Sequence, residues 1–213
     1  IMEGRGLPAK AAFPDSFSYG NEAVETVSYD PEGAKKLLEE SGWKDTDGDG
    51  YADKDGQKLT IDWLTYPTRL EQPKLAEYAQ ATLKEIGIDV VVNNTSDHMT
   101  YAADGDFDVY VSSTTTAPTG DPEYFFTSTV VGPKNYGKYE NKEVTALTEK
   151  LHQAFEPEER AKLATELQQK ILDDDGFFFV SHLNMGIVTK SNVKGMAAHP
   201  CDYYEITADL DVE

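Results

Sequence analysis

The sequence predicts an α/β fold: a single lobe with a mixed sheet, a parallel βαβ core and flanking helices. Residues 59–65 alternate like a strand, residues 71–86 carry an apolar stripe at helical spacing, and residues 88–92 resume as a strand. Strand, helix and strand within about 35 residues form a crossover unit, which is right-handed by strong steric preference and leaves its two strands parallel.

Each element has a local cause. Residues 4–20 read as an extended lead-in, because Pro8 and Pro14 block regular helix and sheet pairing, and the core is expected after it. The domain reading is therefore a lead-in, residues 1–28, and a lobe, residues 29–213. Asp30-Pro31-Glu32 supplies an N-cap, a first-turn proline and a first-turn acid; Ala34, Leu37 and Leu38 share one face, and Gly42 stops the helix. An acidic loop, residues 45–56, precedes the first strand, in which Leu59, Ile61, Trp63 and Thr65 point one way. The second helix turns Leu75, Tyr78, Ala79, Thr82, Leu83 and Ile86 inward and ends at Gly87. Residues 107–113 read as a further strand that runs into a loop rich in threonine, proline and glycine, residues 114–121. Asn141 caps a helix with Val144, Leu147, Thr148, Leu151 and Phe155 inward, and Pro157 opens another with Ala161, Ala164, Leu167 and Ile171 inward. Residues 177–181 and 185–189 read as two closing strands about a turn at Leu183-Asn184.

A chain of 213 residues is long enough for one sizeable core or two small lobes. Its 19 Lys and Arg against 39 Asp and Glu give a formal charge of −20, and the basic residues are scattered, which excludes nucleic acid as a partner and leaves cations and small ligands. The longest apolar runs, residues 177–180 and 88–92, fall far short of the roughly 20 residues of a membrane-spanning helix. The single cysteine, Cys201, forms no internal disulfide and does not identify a redox compartment. The first six residues have neither a charged nor an apolar signal region, so the expectation is a cytoplasmic protein or a piece cut from a longer secreted precursor.

Residues 45–53 reproduce positions one, three, five, six and nine of a calcium loop. Asp45, Asp47, Asp49 and Asp53, with the Tyr51 carbonyl, offer hard oxygens on a flexible turn, but position twelve is Gly56 and the bidentate glutamate is missing. A structural Ca²⁺ and a solvated acidic turn both fit. The motifs of serine hydrolases, zinc proteases, phosphate loops and dinucleotide folds are absent. The histidines, His98, His152, His182 and His199, lack a second His or Cys at metal-ligand spacing. His152 reads as partly exposed on its helix, and His182 as a hydrogen-bonded edge residue. His199-Pro200-Cys201-Asp202, beside Tyr203 and Tyr204, gathers N, S and O along one loop, with no second segment to complete a site.

In order along the chain, Tyr29-Asp30-Pro31 with Ala34, Leu37, Leu38, Gly42 and Trp43, the acidic loop, the strand at residues 59–65 and Leu83-Lys84-Glu85-Ile86-Gly87-Ile88 resemble the C-terminal lobe of family 5 extracytoplasmic solute-binding proteins. Phe107-Asp108, Asp121-Pro122, residues 139–144, Arg160, residues 171–174 and residues 191–195 continue the resemblance nearly to the end. It implies the periplasmic-binding-protein-like fold and the substrate-binding component of an ABC importer, with no catalysis and no required cofactor. It also implies an N-terminal lobe of the same precursor, missing here, a hinged cleft between lobes, an ABC permease in the membrane, and an extracytoplasmic place, periplasmic or as a cell-surface lipoprotein.

Where dipeptide-binding members carry an aspartate three residues before Asp-Pro, this chain has Pro118. Ala117-Pro118 before Asp121-Pro122, and the ending His199-Pro200 with Asp202-Tyr203-Tyr204-Glu205, resemble nickel-binding members. Their tryptophan before Ala-Pro and histidine a dozen residues after Asp-Pro are replaced by Thr116 and the region of Lys134, so a histidine ligand does not carry over. The expected ligand is nickel in a chelate or metallophore, with a dipeptide or oligopeptide as the alternative. A calcium-stabilised extracellular interaction module and an extracellular hydrolase are the readings from other classes. Thr115, Thr116, Pro118, Thr119 and Tyr136, with Lys134 and Asn135, are expected to line the ligand face, because a hydroxyl-rich loop at a strand's carboxyl end offers short hydrogen-bond partners and Tyr136 an amphipathic one.

Overall fold

The computed structural model describes residues 1–197 and 207–213. Its contacts fall into two compact units, one of residues 27–114 with Ile1, the other of residues 2–26 with 115–213.

The first unit holds the parallel core. Strand β4 (Thr60–Thr65) pairs in parallel with β5 (Asp89–Asn94) from Thr60↔Asp89 to Thr65↔Asn94, and on its other side with β6 (Val109–Tyr110). Helix α2 (Glu71–Lys84) makes the crossover. These three strands form one all-parallel sheet, and the antiparallel pairs lie in separate two-stranded ribbons. Trp63, Ala76, Ile88, Val90 and Val111 are buried together, with Leu38, Leu59, Ile61 and Leu83 against them. Tyr78 is not among them: it stands 59% exposed, and the helix buries Gln72 and Ala76 instead. Helix α1 (Pro31–Glu40) starts as expected, with the Asp30 carboxylate accepting from the Gly33 amide at 2.9 Å. Leu37 on that helix is exposed; Leu38 makes the contact. A small ribbon, β2 (Asp53–Lys54) with β3 (Gln57–Lys58), follows the acidic turn. The ribbon is tied to the end of α2 where the Ala52 amide donates to the Gly87 carbonyl at 2.7 Å. Gly87 has φ +85°, and a Cβ there would stand 3.1 Å from the Ala52 nitrogen, so the turn requires glycine. Helix α3 (His98–Asp104) has no counterpart in the sequence reading; it buries only Ala102, too little for an apolar period.

The second unit is built around aromatic rings and helices. The lead-in does not precede the core; it supplies Ala11, Ala12, Phe13 and Tyr19 to it. Strand β1 (Gly6–Pro8) pairs antiparallel with β7 (Ser181–Leu183). Beyond β1 the backbone is satisfied by side chains: Asn21 Oδ1 accepts from the Lys10 and Ala11 amides at 2.9 and 3.2 Å, and Gln168 Oε1 from the Ala12 amide at 3.1 Å. Two prolines therefore do not keep the segment out of the core, since side-chain amides replace the ladder. Phe13 has ring centroids of Tyr19 at 5.0 Å and of Phe125 and Phe126 at 6.0 Å around it. A short helix α4 (Glu123–Phe125) widens into a looser turn at Phe126–Val130. Helices α5 (Lys142–Gln153) and α6 (Pro157–Asp173) close the core with Val144, Leu147, Leu151, Ala164, Leu167 and Ile171. Asn141 caps α5 as expected, accepting from the Glu143 and Val144 amides.

Two expectations fail here. Phe155 is 86% exposed, because α5 stops at Gln153 and the chain runs extended through Ala154 and Glu156 into Pro157, which disfavours helix at the residue before it. The closing hairpin does not form. Only residues 181–183 are a strand, Leu183 lies in it instead of a turn, and its partner is β1; residues 185–189 form no strand, and Val188 is 97% exposed. The alternation of Phe177 and Phe179 serves packing, with both rings about 6 Å from Phe125. Strands β8 (Val193–Lys194) and β9 (Asp211–Val212) make a last ribbon. No helix among the described residues is long and apolar enough to cross a membrane.

Candidate functional site

The loop after β6 is anchored residue by residue. Thr115 and Thr119 are exposed, Thr116 and Pro118 half-buried, and Ala117 is buried in the second unit's core. The Gly120 carbonyl accepts from the Tyr19 hydroxyl at 2.8 Å. Arg160 Nε and one terminal nitrogen hold both Asp121 carboxylate oxygens, at 2.9 and 2.7 Å, and the same nitrogen reaches Glu123 at 2.9 Å. Among the described residues, no hydrogen bond engages the hydroxyls of Thr115, Thr116 and Thr119.

Desolvation pushes the Asp121 and Glu123 carboxyls up, but hydrogen bonds from Arg160, with His152 on Glu123 as well, outweigh it and hold both below the usual carboxylate range. A carboxylate with a depressed folded pKa stabilises the fold above its unfolded value of about 4 and loses that contribution as pH falls through the folded value. D121N/E123Q should therefore lose less stability than the parent chain between about pH 5 and 3. Urea titrations at both pH values check this, and equal losses would sink it.

Lys134, Asn135 and Tyr136 are placed differently from one another. Lys134 Nζ donates to the Tyr124 hydroxyl at 3.1 Å, and Asn135 spends its amide on Tyr139, donating to its carbonyl at 2.8 Å and accepting from its amide at 2.9 Å. Asn135 thus shapes the turn that presents the half-buried Tyr136.

Carboxylate oxygens of Asp45, Asp47 and Asp49 lie within 4.8 Å of one another. Asp53 does not join them: its oxygens accept from the Thr46 amide and hydroxyl at 2.8 and 2.6 Å. Lys58 sits on Asp49 at 2.6 Å, lowering that carboxyl's pKa, and 4.3 Å from the Tyr51 ring centroid.

The sequence reading missed a cluster at the carboxyl end of the parallel sheet. Tyr66, the residue after β4, stacks on His98 with ring centroids 4.1 Å apart, and its hydroxyl accepts from the Ser113 amide at 3.0 Å. His98 Nδ1 shares a 2.7 Å hydrogen bond with the Tyr110 hydroxyl. Gln72 donates to the Ser113 hydroxyl at 3.2 Å. The signal was available, because the rule that directs attention to residues 114–121 applies equally to Tyr66 and Ser113 at the same strand ends.

Among the other histidines, His182 is a hydrogen-bonded edge residue as expected, its Nε2 3.0 Å from Asn21 Oδ1, with burial lowering its pKa. His152 is exposed and lies 2.6 Å from Glu123. His199, Pro200, Cys201, Asp202, Tyr203, Tyr204 and Glu205 lie outside the described residues.

A parallel α/β core with polar and aromatic groups gathered at the carboxyl ends of its strands is the arrangement of an α/β ligand-binding protein. The profile of bacterial extracellular solute-binding proteins, family 5 Middle, matches residues 1–137, and the chain belongs to that family. It is 29% identical over 214 residues to the oligopeptide-binding protein AppA of Bacillus subtilis, covering 97% of this chain and 39% of AppA. It is 26% identical over 216 residues to the nickel-binding protein NikA of Staphylococcus aureus, covering 100% of this chain and 42% of NikA. The structure of B. subtilis AppA in complex with a nonapeptide superposes with a TM-score of 0.77 at 26% identity, over 95% of this chain and 42% of that one. The chain thus spans about two fifths of the length of these relatives. Both relatives are binding proteins.

Proposed function

We propose that this chain is part of the substrate-binding component of an ABC importer, acting outside the cytoplasm and delivering its ligand to a membrane permease. The observation that carries this reading is family membership over residues 1–137, joined to the free threonine hydroxyls of the loop beyond the parallel sheet. The ligand is nickel in a small chelate, or a peptide, held between this part and a second lobe. Ala117-Pro118 ahead of Asp121-Pro122 favours the nickel chelate; the likeness to AppA favours the peptide. Thr115, Thr116, Pro118, Thr119 and Tyr136, with Lys134 at the margin, form the ligand face.

Calorimetry on the two-lobed protein with Ni(II)–bis(L-histidine) and with a nonapeptide separates the two ligands. T116A/Y136A should weaken binding of the active probe about tenfold or more, while the melting temperature stays nearly unchanged, because these groups are not core. Unaltered affinity in the double variant would move the ligand face elsewhere.

A weak structural Ca²⁺ on Asp45, Asp47 and Asp49 belongs to the same proposal. The ion relieves the repulsion of three adjacent carboxylates but must displace Lys58 from Asp49 and finds no bidentate glutamate. The melting temperature should rise at millimolar Ca²⁺ and not in D45N/D47N; no shift in the parent chain would retire the ion.

A further inference from the structure

The five N–H donors of Arg160 are all engaged, and they join three segments of the second unit. Nε and one terminal nitrogen grip Asp121 with a fork at 2.9 and 2.7 Å. That nitrogen also donates to Glu123 at 2.9 Å, at the start of α4. The other terminal nitrogen donates to the Leu151 and Ala154 carbonyls, at 2.7 and 2.6 Å, at the end of α5, where the intrahelical ladder runs out of donors. Arg160 itself sits in the first turn of α6, which buries Ala164, Leu167 and Ile171 in the core of the unit. A planar fork with five fixed donors transmits position as well as charge, and a lysine cannot reproduce it.

Asp121 is the last residue of the 114–121 loop, and its Oδ1 also accepts from the Glu123 amide at 2.8 Å. The loop has two other fixed points, the buried Ala117 and the Gly120 carbonyl held by Tyr19. Thr116, Pro118 and Thr119 lie between or beside these fixed points, so where Asp121 stands decides where the hydroxyls stand.

We propose that Arg160 is a positioning residue for the ligand loop, fixing residues 117–121 against the ends of α5 and α6 without touching the ligand. Its consequence for binding rests on the reading of Thr115–Thr119 as the ligand face; its consequence for the loop does not. A residue that merely stabilised the unit would weaken all of it together.

Amide hydrogen exchange on this chain separates the two. The Gly120 amide, donating to Ala117, and the Glu123 amide, donating to Asp121, report on the loop; the Leu167 and Ile171 amides of α6 report on the whole unit. R160K keeps the charge and loses the fork, D121N removes the partner, and V144A empties a buried core site at the start of α5, the opposite end from the one Arg160 holds. In R160K and D121N, exchange at Gly120 and Glu123 should rise about tenfold more than at Leu167 and Ile171, while in V144A all four should rise together. Equal rises at all four amides in R160K and D121N would overturn the proposal, as would unchanged exchange at Gly120 and Glu123. If D121N raises exchange at only one of the two loop amides, the fork does not hold the loop through Asp121 and the proposal also falls. In the two-lobed protein, affinity for Ni(II)–bis(L-histidine) or the nonapeptide should drop in R160K and not in V144A. Loop opening with unaltered affinity would sink the ligand-face reading and leave the positioning role standing.

Discussion

Phe13→Ala should lower the stability of the second unit by about 3–5 kcal/mol, the range for emptying a buried phenylalanine site. Phe13 is 0% exposed and sits among Phe17, Tyr19, Phe125 and Phe126 with centroid separations of 5.0–6.4 Å. These neighbours come from the lead-in itself and from α4 and the turn after it, so the void cannot close by moving one side chain. Leu7→Ala, in the same segment but exposed, should change stability by less than about 0.5 kcal/mol. Denaturant titrations of both variants decide the matter. A loss below about 1 kcal/mol for Phe13→Ala would mean the lead-in is not part of the cooperative core.

Gln168→Leu should cost about 2–4 kcal/mol, although it replaces a polar side chain by an apolar one of similar size in a buried place. Gln168 is 1% exposed; its Oε1 accepts from the Ala12 amide at 3.1 Å, and its Nε2 donates to the Tyr19 carbonyl at 2.8 Å. Removing it strands two backbone groups where water does not reach, and each stranded group costs about 1–3 kcal/mol. The leucine's own burial offsets a part of that. A neutral or stabilising effect would show that the backbone around Ala12 and Tyr19 finds other partners.

These two residues show why the sequence reading separated the lead-in from the core. A side chain-to-backbone anchor has no period, and Gln168 on a helix looks like any solvated glutamine, whereas Pro8 and Pro14 are plain signals against regular pairing. Where apolar periodicity and capping act alone, the reading holds: Asp30 and Asn141 cap their helices, and residues 60–65 and 89–94 pair in parallel around α2. Where a strand's partner comes from far away, local alternation misleads. Phe177 and Phe179 look like half of a hairpin, but rings claim them, and Ser181–Leu183 takes its partner from the other end of the chain. In the candidate site, the Thr115–Thr119 loop is legible from composition, and the Arg160 fork only from geometry, because residues 121 and 160 share no spacing rule.

The pairing of β1 with β7, and of Ala12 with Gln168 across 156 residues of sequence, imposes an order of assembly. Residues 27–114 hold their own sheet and core in one uninterrupted stretch and can complete them while the ribosome is still at work. The second unit waits, since Phe13 and Tyr19 emerge early and their partners Phe125, Phe126 and Gln168 much later. During that interval the aromatic lead-in is an unsatisfied apolar segment, and closing so long a loop is slow. The nascent chain therefore has a window in which it needs protection from self-association, one that ends only when residues 181–183 are free to add their strand.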